Sequence, residues 1–312
     1  MEKLMSVSHL TKSFKENKVL KEISFEVHRG EVLCILGPNG AGKSTTINIL
    51  TAALNSDDGE ICYKGSKIGQ QLRTYKHELG IVPQDVALYE ELSAERNLSF
   101  FASLYGLKGN RLKEAVNEAL KFAGLEDRRH DKVKTFSGGM KRRLNIACSI
   151  AHHPELVIMD EPTVGIDPQS RNYILDSIKK LRDNGMTVIY TTHYMEEVEA
   201  ISTRIIIMDH GTIIAEGSKE SLKEDIENEK RYIIEVEENG KIAHDEFFMV
   251  EGVRSVKIEG STIEITSIKG IENLDRIIAL LSNRGEKIRN ITSETASLEM
   301  VFLKLTGRKL RD

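Results

Sequence analysis

The stretch from Gly37 to Thr45 carries side chains and spacing suited to phosphate chemistry. It reads GPNGAGKST and matches the pattern G-x-x-x-x-G-K-[ST], whose glycines let backbone N–H groups approach a polyphosphate. Lys43 would reach the β- and γ-phosphates, the Ser44 hydroxyl would join a Mg²⁺ shell, and Thr45 offers a further donor. The apolar run Val32 to Leu36 before it and the helix start after it are the expected flanks. The predicted phosphate-binding residues are Gly37, Pro38, Asn39, Gly40, Ala41, Gly42, Lys43, Ser44 and Thr45.

A second group of reactive side chains follows the apolar runs Leu156 to Met159 and Met186 to Thr191. Asp160 and Glu161 end the first run, and two acids at the end of a central strand are costly unless they bind a ligand. Asp160 fits a Mg²⁺ ligand that acts through water, and Glu161 fits a general base. His193 follows the second run, so we expect it at the same sheet edge, within reach of a γ-phosphate.

A third candidate is the sequence Ser137-Gly138-Gly139, which opens a predicted helix. The apolar residues of this helix share one face and are Leu144, Ala147, Cys148 and Ala151. A helix N-terminus offers a second anion-binding end, distant in sequence from the first. Taken alone, the three residues are better explained as a serine cap followed by flexible glycines.

Composition limits the possible roles. A chain of 312 residues is long enough for two domains, and a net charge of -4 argues against a nucleic-acid partner. Cys34, Cys62 and Cys148 are scattered, which indicates buried free thiols rather than a disulfide framework or a metal site. No signal-peptide core and no run of about 18 apolar residues is present. A membrane role would therefore need another chain.

Strand and helix patterns place these groups. Phe14 lies in a polar turn, Lys12 to Lys18, either as a turn anchor or as a face for base stacking. Residues 86–151 are rich in helix, with a helix capped by Ser93 and another from Arg111 to Ala123. The other predicted elements are strands at Met5–Leu10, Val19–Val27 and Leu79–Val82, a turn at Asp57–Gly59 before a hairpin at Glu60–Gly65, a helix at Ser170–Asp183, and a closing hairpin at Ile205–Ala215.

These segments, in this order, resemble the nucleotide-binding subunit of ABC transporters over about residues 3 to 217. The motifs are GPNGAGKST (37–45), VPQ (82–84), SGGMKRR (137–143), LVIMDEP (156–162), GID (165–167) and TTH (191–193). The resemblance implies an α/β fold in a domain of residues 1–217, with a RecA-like parallel sheet, an antiparallel β-subdomain and a helical subdomain at about 86–151. It also implies ATP and Mg²⁺ as cofactors.

The resemblance assigns roles to single residues. Phe14 would stack on adenine, Gln84 would bind Mg²⁺ and water and sense a membrane partner, and His193 would be the switch histidine. Ser137, Gly138 and Gly139 would cover the γ-phosphate of the ATP held by a second copy. The implied catalytic residues are Lys43, Gln84, Glu161 and His193, and the implied metal ligands are Ser44, Gln84 and Asp160.

Two positions depart from the family pattern. The signature reads FSGGM where many members have LSGGQ, so Met140 cannot supply the side-chain amide of that glutamine. The backbone donors of the signature are retained. Phe14 replaces the commoner tyrosine and keeps the stacking face.

Finer features resemble the subgroup that serves ABC-2 type exporters, including drug-resistance and sodium-export ATPases. These features are SGGMKRR, TVGID and the tail Ser297 to Arg311. Residues 218–230 are predicted as a linker or solvated helix, and 231–312 as a small accessory α+β domain with a helix from Ile271 to Arg284. Dimer contact and regulation are both open as roles for this domain.

The sequence therefore predicts an ATPase at the cytoplasmic face of the membrane that powers export of a drug or other small compound. A separate permease would dock near Gln84 to Tyr105, and two copies would sandwich two ATP molecules. The alternative is a soluble ABC ATPase acting on the ribosome or nucleic acid, but the chain has no tandem cassette and no long coiled-coil insertion. A module that only holds ATP is disfavoured by Glu161 and His193.

Overall fold

The computed structural model describes residues 2–227, 229–237, 244–294 and 297–307. The chain divides into two units, Met1–Lys219 and Glu220–Leu310. The tail that resembles the exporter subgroup, Ser297 to Arg311, lies partly outside the described residues, which end at 307.

An antiparallel sheet of four strands opens the first unit, in the order β2-β1-β4-β5. Its strands are β1 (Lys3–Phe14), β2 (Asn17–His28), β4 (Asp58–Tyr63) and β5 (Ser66–Lys67). A turn does lie within the predicted range Lys12 to Lys18, at Lys15 and Glu16. Phe14 is not part of it, because β1 continues to Phe14, which pairs with Asn17. The predicted turn at Asp57 to Gly59 is wrong. Gly59 lies within β4 with φ +92°, and a Cβ atom there would lie 2.5 Å from the carbonyl oxygen of His9.

The second sheet positions the reactive groups. Its order is β10-β9-β3-β8-β7-β6; the strands from β9 to β6 run parallel to one another, and β10 is antiparallel to β9. The strands are β3 (Val32–Leu36), β6 (Leu79–Val82), β7 (Leu156–Asp160), β8 (Thr187–Thr192), β9 (Arg204–Asp209) and β10 (Thr212–Gly217). Every residue of β3, β7 and β8 is buried, as expected for central parallel strands. Leu36 pairs with Thr192 and Asp160 pairs with Thr191, so the carboxyl ends of these three strands lie side by side.

Helix α1 (Lys43–Leu50) contributes Ile47 and Leu50 to one apolar core that both sheets share. The other helices of this part are α2 (Leu72–His77), α6 (Pro168–Asp183) and α7 (Met195–Ile201). Helix α6 begins two residues before the predicted Ser170. Asp167 is its N-cap and accepts the N–H of Ser170, while Pro168 fits the first turn.

Three helices with their own apolar core lie between β6 and β7 in the chain. They are α3 (Ala94–Leu104), α4 (Gly109–Ala123) and α5 (Gly138–Ile150). Ser93 and Ser137 cap α3 and α5 by accepting N–H groups three residues on. The predicted apolar face of α5 is buried at Leu144, Ala147 and Cys148.

The second unit is α+β, with a sheet in the order β12-β13-β11-β14. Its elements are α8 (Lys219–Glu227), which starts at the unit boundary, β11 (Glu229–Val236), β12 (Val253–Glu259), β13 (Thr262–Ile268), α9 (Leu274–Asn283), β14 (Ile288–Glu294) and α10 (Leu298–Thr306). Ile277 and Leu281 of α9 pack on the sheet. Helix α9 starts later than the predicted Ile271, because the buried Asn273 side chain donates to the Glu251 carbonyl and Ser267 Oγ.

The architecture confirms the predicted α/β fold class for the first unit, with an antiparallel sheet and a helical part beside the parallel sheet. The segment predicted as a linker or solvated helix, 218–230, contains α8 and the first residues of β11. Within the described part of the chain, no helix combines the length and apolar character needed to span a bilayer.

Candidate active site

The loop between β3 and α1 has a backbone that only glycine fits at two points. Gly42 has φ +101°, and a Cβ atom there would lie 2.7 Å from Cδ2 of Leu20. A Cβ atom on Gly37 would lie 2.4 Å from the Met208 carbonyl oxygen. The loop can therefore curl tightly at the end of β3, as loops that bind anions through successive N–H groups do.

Lys43 is held beneath this loop. Its side chain is 5% exposed, and Nζ donates to the carbonyl oxygens of Gly37 at 2.8 Å and Pro38 at 3.1 Å. Nζ also lies 3.1 Å from Oε1 of Glu161. A buried ammonium needs such partners, and it is placed where a bound triphosphate would compete for it.

A cleft of about 310 Å³ opens in front of the loop. The predicted residues that line it are Asn39, Gly40, Gly42, Lys43, Ser44, Thr45, Gln84 and Glu161, and Asn17 and Val19 of β2 join them. Gly37, Pro38 and Ala41 lie behind this surface and are buried. No side chain caps the N-terminus of α1, so its N–H donors remain available to an anion. The residues present therefore fit a nucleotide polyphosphate.

The two acids meet the loop because β7 ends beside β3 and β8. Asp160 Oδ1 accepts from Ser44 Oγ at 3.3 Å and from Thr191 Oγ1 at 2.6 Å. Thr191 Oγ1 also accepts the N–H of Glu161 at 2.9 Å. The sequence analysis missed this role of Thr191, whose hydroxyl fixes both acids.

Glu161 has a strained backbone, with φ +43°, and its side chain is 8% exposed. Its Oε2 lies 3.2 Å from Nδ1 of His193, while its Oε1 faces Lys43. Strain of this kind is kept only where the surroundings hold a residue firmly. Lys43, Glu161 and His193 thus form one cluster at the edge of the cleft.

A buried carboxylate behind the cluster was also missed from sequence. Glu197 of α7 is fully buried and accepts from Thr163 Oγ1 at 2.5 Å, Tyr190 Oη at 2.9 Å and Thr192 Oγ1 at 2.7 Å. Burial and the charge of Glu197 raise the pKa of Tyr190, so its phenol stays a donor. Glu197 therefore joins the segment after Glu161 to the end of β8.

Other predicted residues lie outside the cleft lining. Phe14 is 48% exposed at the end of β1 and does not line the cleft, although Asn17, its partner in the sheet, does. Ser137, Gly138 and Gly139 at the N-terminus of α5 do not line it either.

The two glycines of this signature differ. A Cβ atom on Gly139 would lie 2.0 Å from Ser170 Oγ and 3.0 Å from Asp167 Oδ2, whereas one on Gly138 meets nothing within 4 Å. Gly139 is thus needed to pack α5 on the start of α6.

The segment after Gln84 exposes several large side chains. Tyr89, Phe100 and Leu104 are 50%, 38% and 61% exposed. Tyr89 and Phe100 meet edge to face at 5.0 Å between ring centroids. Other large side chains of the predicted docking segment, Gln84 to Tyr105, are partly buried: Leu88, Leu92, Phe101 and Tyr105.

A phosphate cradle at a strand–helix junction, with two acids and a histidine at neighbouring strand ends, defines the class of P-loop nucleoside triphosphatases. The family model for ABC transporters matches residues 20–164. The linearmycin resistance ATP-binding protein LnrL of Bacillus subtilis (strain 168) is 42% identical over 317 residues, covering 99% of this chain and 100% of the relative. The chain belongs to the family of ATP-binding subunits of ABC transporters, and it is an ATPase.

Two further comparisons agree. Nod factor export ATP-binding protein I of Rhizobium sp. (strain N33) is 35% identical, with 98% of each chain covered. A solved dimeric ATP-binding cassette, in a post-hydrolysis state with ADP and Pi, is 27% identical with a TM-score of 0.63, covering 69% of this chain and 98% of that one. The family resemblance predicted from the six motifs is confirmed, and the alternative role on the ribosome or nucleic acid is not favoured.

We predict that Gly139→Ala and Gly138→Ala differ in stability. The added methyl group at 139 would overlap Ser170, so the free energy of unfolding should fall by about 1–3 kcal/mol. The same group at 138 enters open space and should change the stability by less than about 0.5 kcal/mol. Urea unfolding followed by circular dichroism measures both, since the chain has no tryptophan. Equal effects of the two substitutions would contradict the packing described for Gly139.

Proposed function

We propose that this ATPase powers export of an antibiotic or other small compound through a separate membrane permease, at the cytoplasmic face of the cell membrane. The observation that carries the proposal is the cluster around Glu161, whose carboxylate lies 3.1 Å from Nζ of Lys43 and 3.2 Å from Nδ1 of His193. A cluster equipped for turnover argues against a module that only holds ATP.

Nucleotide binding follows from the cleft. Lys43 and the N–H groups of the loop and of α1 would hold the phosphates, and Phe14, exposed near the strand end, would stack on the adenine ring. Ser44, Gln84 and Asp160 present the oxygen ligands that Mg²⁺ prefers, and Ser44 and Asp160 already contact each other. When bound, Mg²⁺ would neutralise charge on the phosphate oxygens.

Hydrolysis is assigned to Glu161 as the general base. Its carboxylate lines the cleft, is nearly buried, and is fixed in direction by Lys43 and His193. Such a carboxylate can accept a proton from a water molecule directed at the γ-phosphate. His193, 20% exposed beside it, would orient the same water and contact the γ-phosphate.

A second copy of the chain is assigned to complete each site. Ser137, Gly138 and Gly139 begin a helix whose N-terminus can bind an anion, yet they do not line the cleft of their own chain. They would therefore act on the nucleotide of a partner copy. The solved relative in a dimeric state with ADP and Pi supports this arrangement.

The permease is proposed to dock on the exposed apolar and aromatic surface formed by Tyr89, Phe100 and Leu104. These side chains belong to the segment Gln84 to Tyr105, whose first residue lines the nucleotide cleft, so a partner held there would be connected to the site of hydrolysis through this segment. Large exposed aromatic side chains are typical anchors of protein interfaces. The nature of the cargo rests on the relatives, which are described as linearmycin resistance and Nod factor export proteins.

We predict that Glu161→Gln slows hydrolysis by about 100-fold or more, because glutamine keeps the size of the side chain but cannot accept a proton. ATP should still bind, since Lys43 keeps its contacts with the Gly37 and Pro38 carbonyls. Two copies should then close around ATP and stay closed. In size-exclusion chromatography with Mg²⁺-ATP, the variant should elute as a dimer and the wild-type chain as a monomer.

The second unit could pair copies without nucleotide, so the comparison is repeated on a chain shortened to end at Gly217, before α8. Matched runs without ATP give the baseline. Hydrolysis by the shortened Glu161→Gln variant at the wild-type rate would contradict the assignment of Glu161 as the base.

We predict that Tyr89→Glu releases the chain from membranes and leaves ATP binding unchanged. The side chain is 50% exposed, so the charge should be tolerated in the fold but not in an apolar interface. Leu72→Glu is the matched control, because Leu72 is 40% exposed on α2, outside the proposed surface. The fraction of the chain that sediments with membranes in its native cells is the measurement. Equal recovery of the two variants would indicate another docking surface.

A further inference from the structure

Arg142 is a buried cation in the signature helix α5. Its side chain is 3% exposed; Nη1 donates to the Pro83 carbonyl at 2.8 Å, and Nη2 donates to the Gln84 carbonyl. Its Nε is buried and has no hydrogen-bond partner among the described residues. No described carboxylate lies within ion-pair distance of the Arg142 guanidinium. Burying a guanidinium without a carboxylate partner costs free energy. The contacts of Arg142 with the two carbonyls therefore indicate a role other than stabilising the fold.

The same face of α5 carries two further polar contacts with this stretch of chain. Asn145, three residues on, accepts the N–H of Ala87 at 3.2 Å through Oδ1. Ser149, seven residues on from Arg142, donates to the Ile81 carbonyl at 2.6 Å. Positions three and seven apart share one side of a helix, so α5 lies fastened along residues 81–87. Of these three side chains, Arg142 is the one that contacts Gln84.

Gln84 needs such a contact because its surroundings give it little support. Residues 84–87 are exposed, and Gln84 is one of the residues that line the nucleotide cleft. Burial lowers the pKa of Arg142, and the nearby Asp85 carboxylate opposes that shift, so the cation persists beside the loop. The planar guanidinium holds two consecutive carbonyls, and this fixes the direction of the loop backbone.

We propose that Arg142 is a positioning residue for ATP hydrolysis, which holds the Gln84 backbone so that the Gln84 side chain stays directed into the nucleotide cleft. The inference rests on the proposed role of Gln84 in binding Mg²⁺ and water. It also means that Arg142, with Asn145 and Ser149, connects the helix that begins with Ser137 to the stretch that carries Gln84.

The test is a double-mutant cycle on steady-state hydrolysis by the full-length chain. Arg142→Gln should lower kcat by about 10-fold or more, since misplacing a catalytic group by about 1 Å can cost about 100-fold. Gln84→Ala should lower kcat as well. Because Arg142 acts through Gln84, the double variant should be no slower than the slower single variant. The KM for ATP should stay near the wild-type value in all three, since Lys43 and the phosphate-binding loop between β3 and α1 are untouched.

Arg143 is the matched control. It is the next residue of α5 and donates to the Ala123 carbonyl at 2.7 Å, away from Gln84. Any loss of kcat caused by Arg143→Gln should multiply with the loss caused by Gln84→Ala when the two substitutions are combined. Arg142→Lys keeps the charge but has a single nitrogen for the two carbonyls, so its kcat should lie between those of the wild type and Arg142→Gln. This variant replaces Arg142→Gln in the test if Arg142→Gln fails to fold.

The experiment distinguishes a failure of the positioning role of Arg142 from a failure of the proposed role of Gln84. Multiplying losses of Arg142→Gln and Gln84→Ala, or a normal kcat for Arg142→Gln, would overturn the positioning role and leave the role of Gln84 standing. A normal kcat for Gln84→Ala would overturn the proposed role of Gln84, and the inference with it.

Discussion

The buried pair of Lys43 and Glu161 is the constraint on which the rest of the first unit depends. Both side chains are nearly removed from water, at 5% and 8% exposure, which is costly unless every charge has partners. The carbonyls of Gly37 and Pro38 and the imidazole of His193 supply them. These groups come from three different strand ends, so the pair exists only because a parallel sheet brings those ends together. Since a buried ion pair adds little net stability, its retention is best explained by the chemistry it serves.

Much of this could be predicted from the sequence because the information is local. The loop from Gly37 to Thr45 is recognisable by its glycines and its flanks, and continuous apolar runs mark β3, β7 and β8. The meeting of Asp160 with Ser44, and of His193 with Glu161, follows from the general rule that parallel strands end at one sheet edge. The fold class was predictable for the same reason. Phe14 and Asp58 were misassigned, because polar residues on the exposed part of a sheet resemble a turn in sequence.

The remaining features depend on residues distant in the chain. Glu197 resembles any acid in the first turn of a helix, and its burial against Thr163, Tyr190 and Thr192 appears only once α7 is packed. Arg142 and Arg143 are indistinguishable in sequence, yet one holds the loop at Gln84 and the other the end of α4. A buried polar side chain in α5 forms its hydrogen bonds with backbone groups elsewhere in the chain, and no local sequence pattern identifies those groups. Such contacts link parts of the site that are distant in the chain, so the structure was needed to find them.

The central claim is that each site is completed by a second copy, and mixing two inactive variants tests it most directly. Lys43→Ala removes the buried cation of the cradle, and Ser137→Arg places a bulky cation where the partner's nucleotide would dock. Random pairing in an equal mixture gives about one quarter of all sites free of both lesions, if each site combines Lys43 of one copy with Ser137 of the other. The account predicts that ATPase activity reappears in the mixture, although each variant alone is inactive. A mixture no more active than its two components would contradict the account.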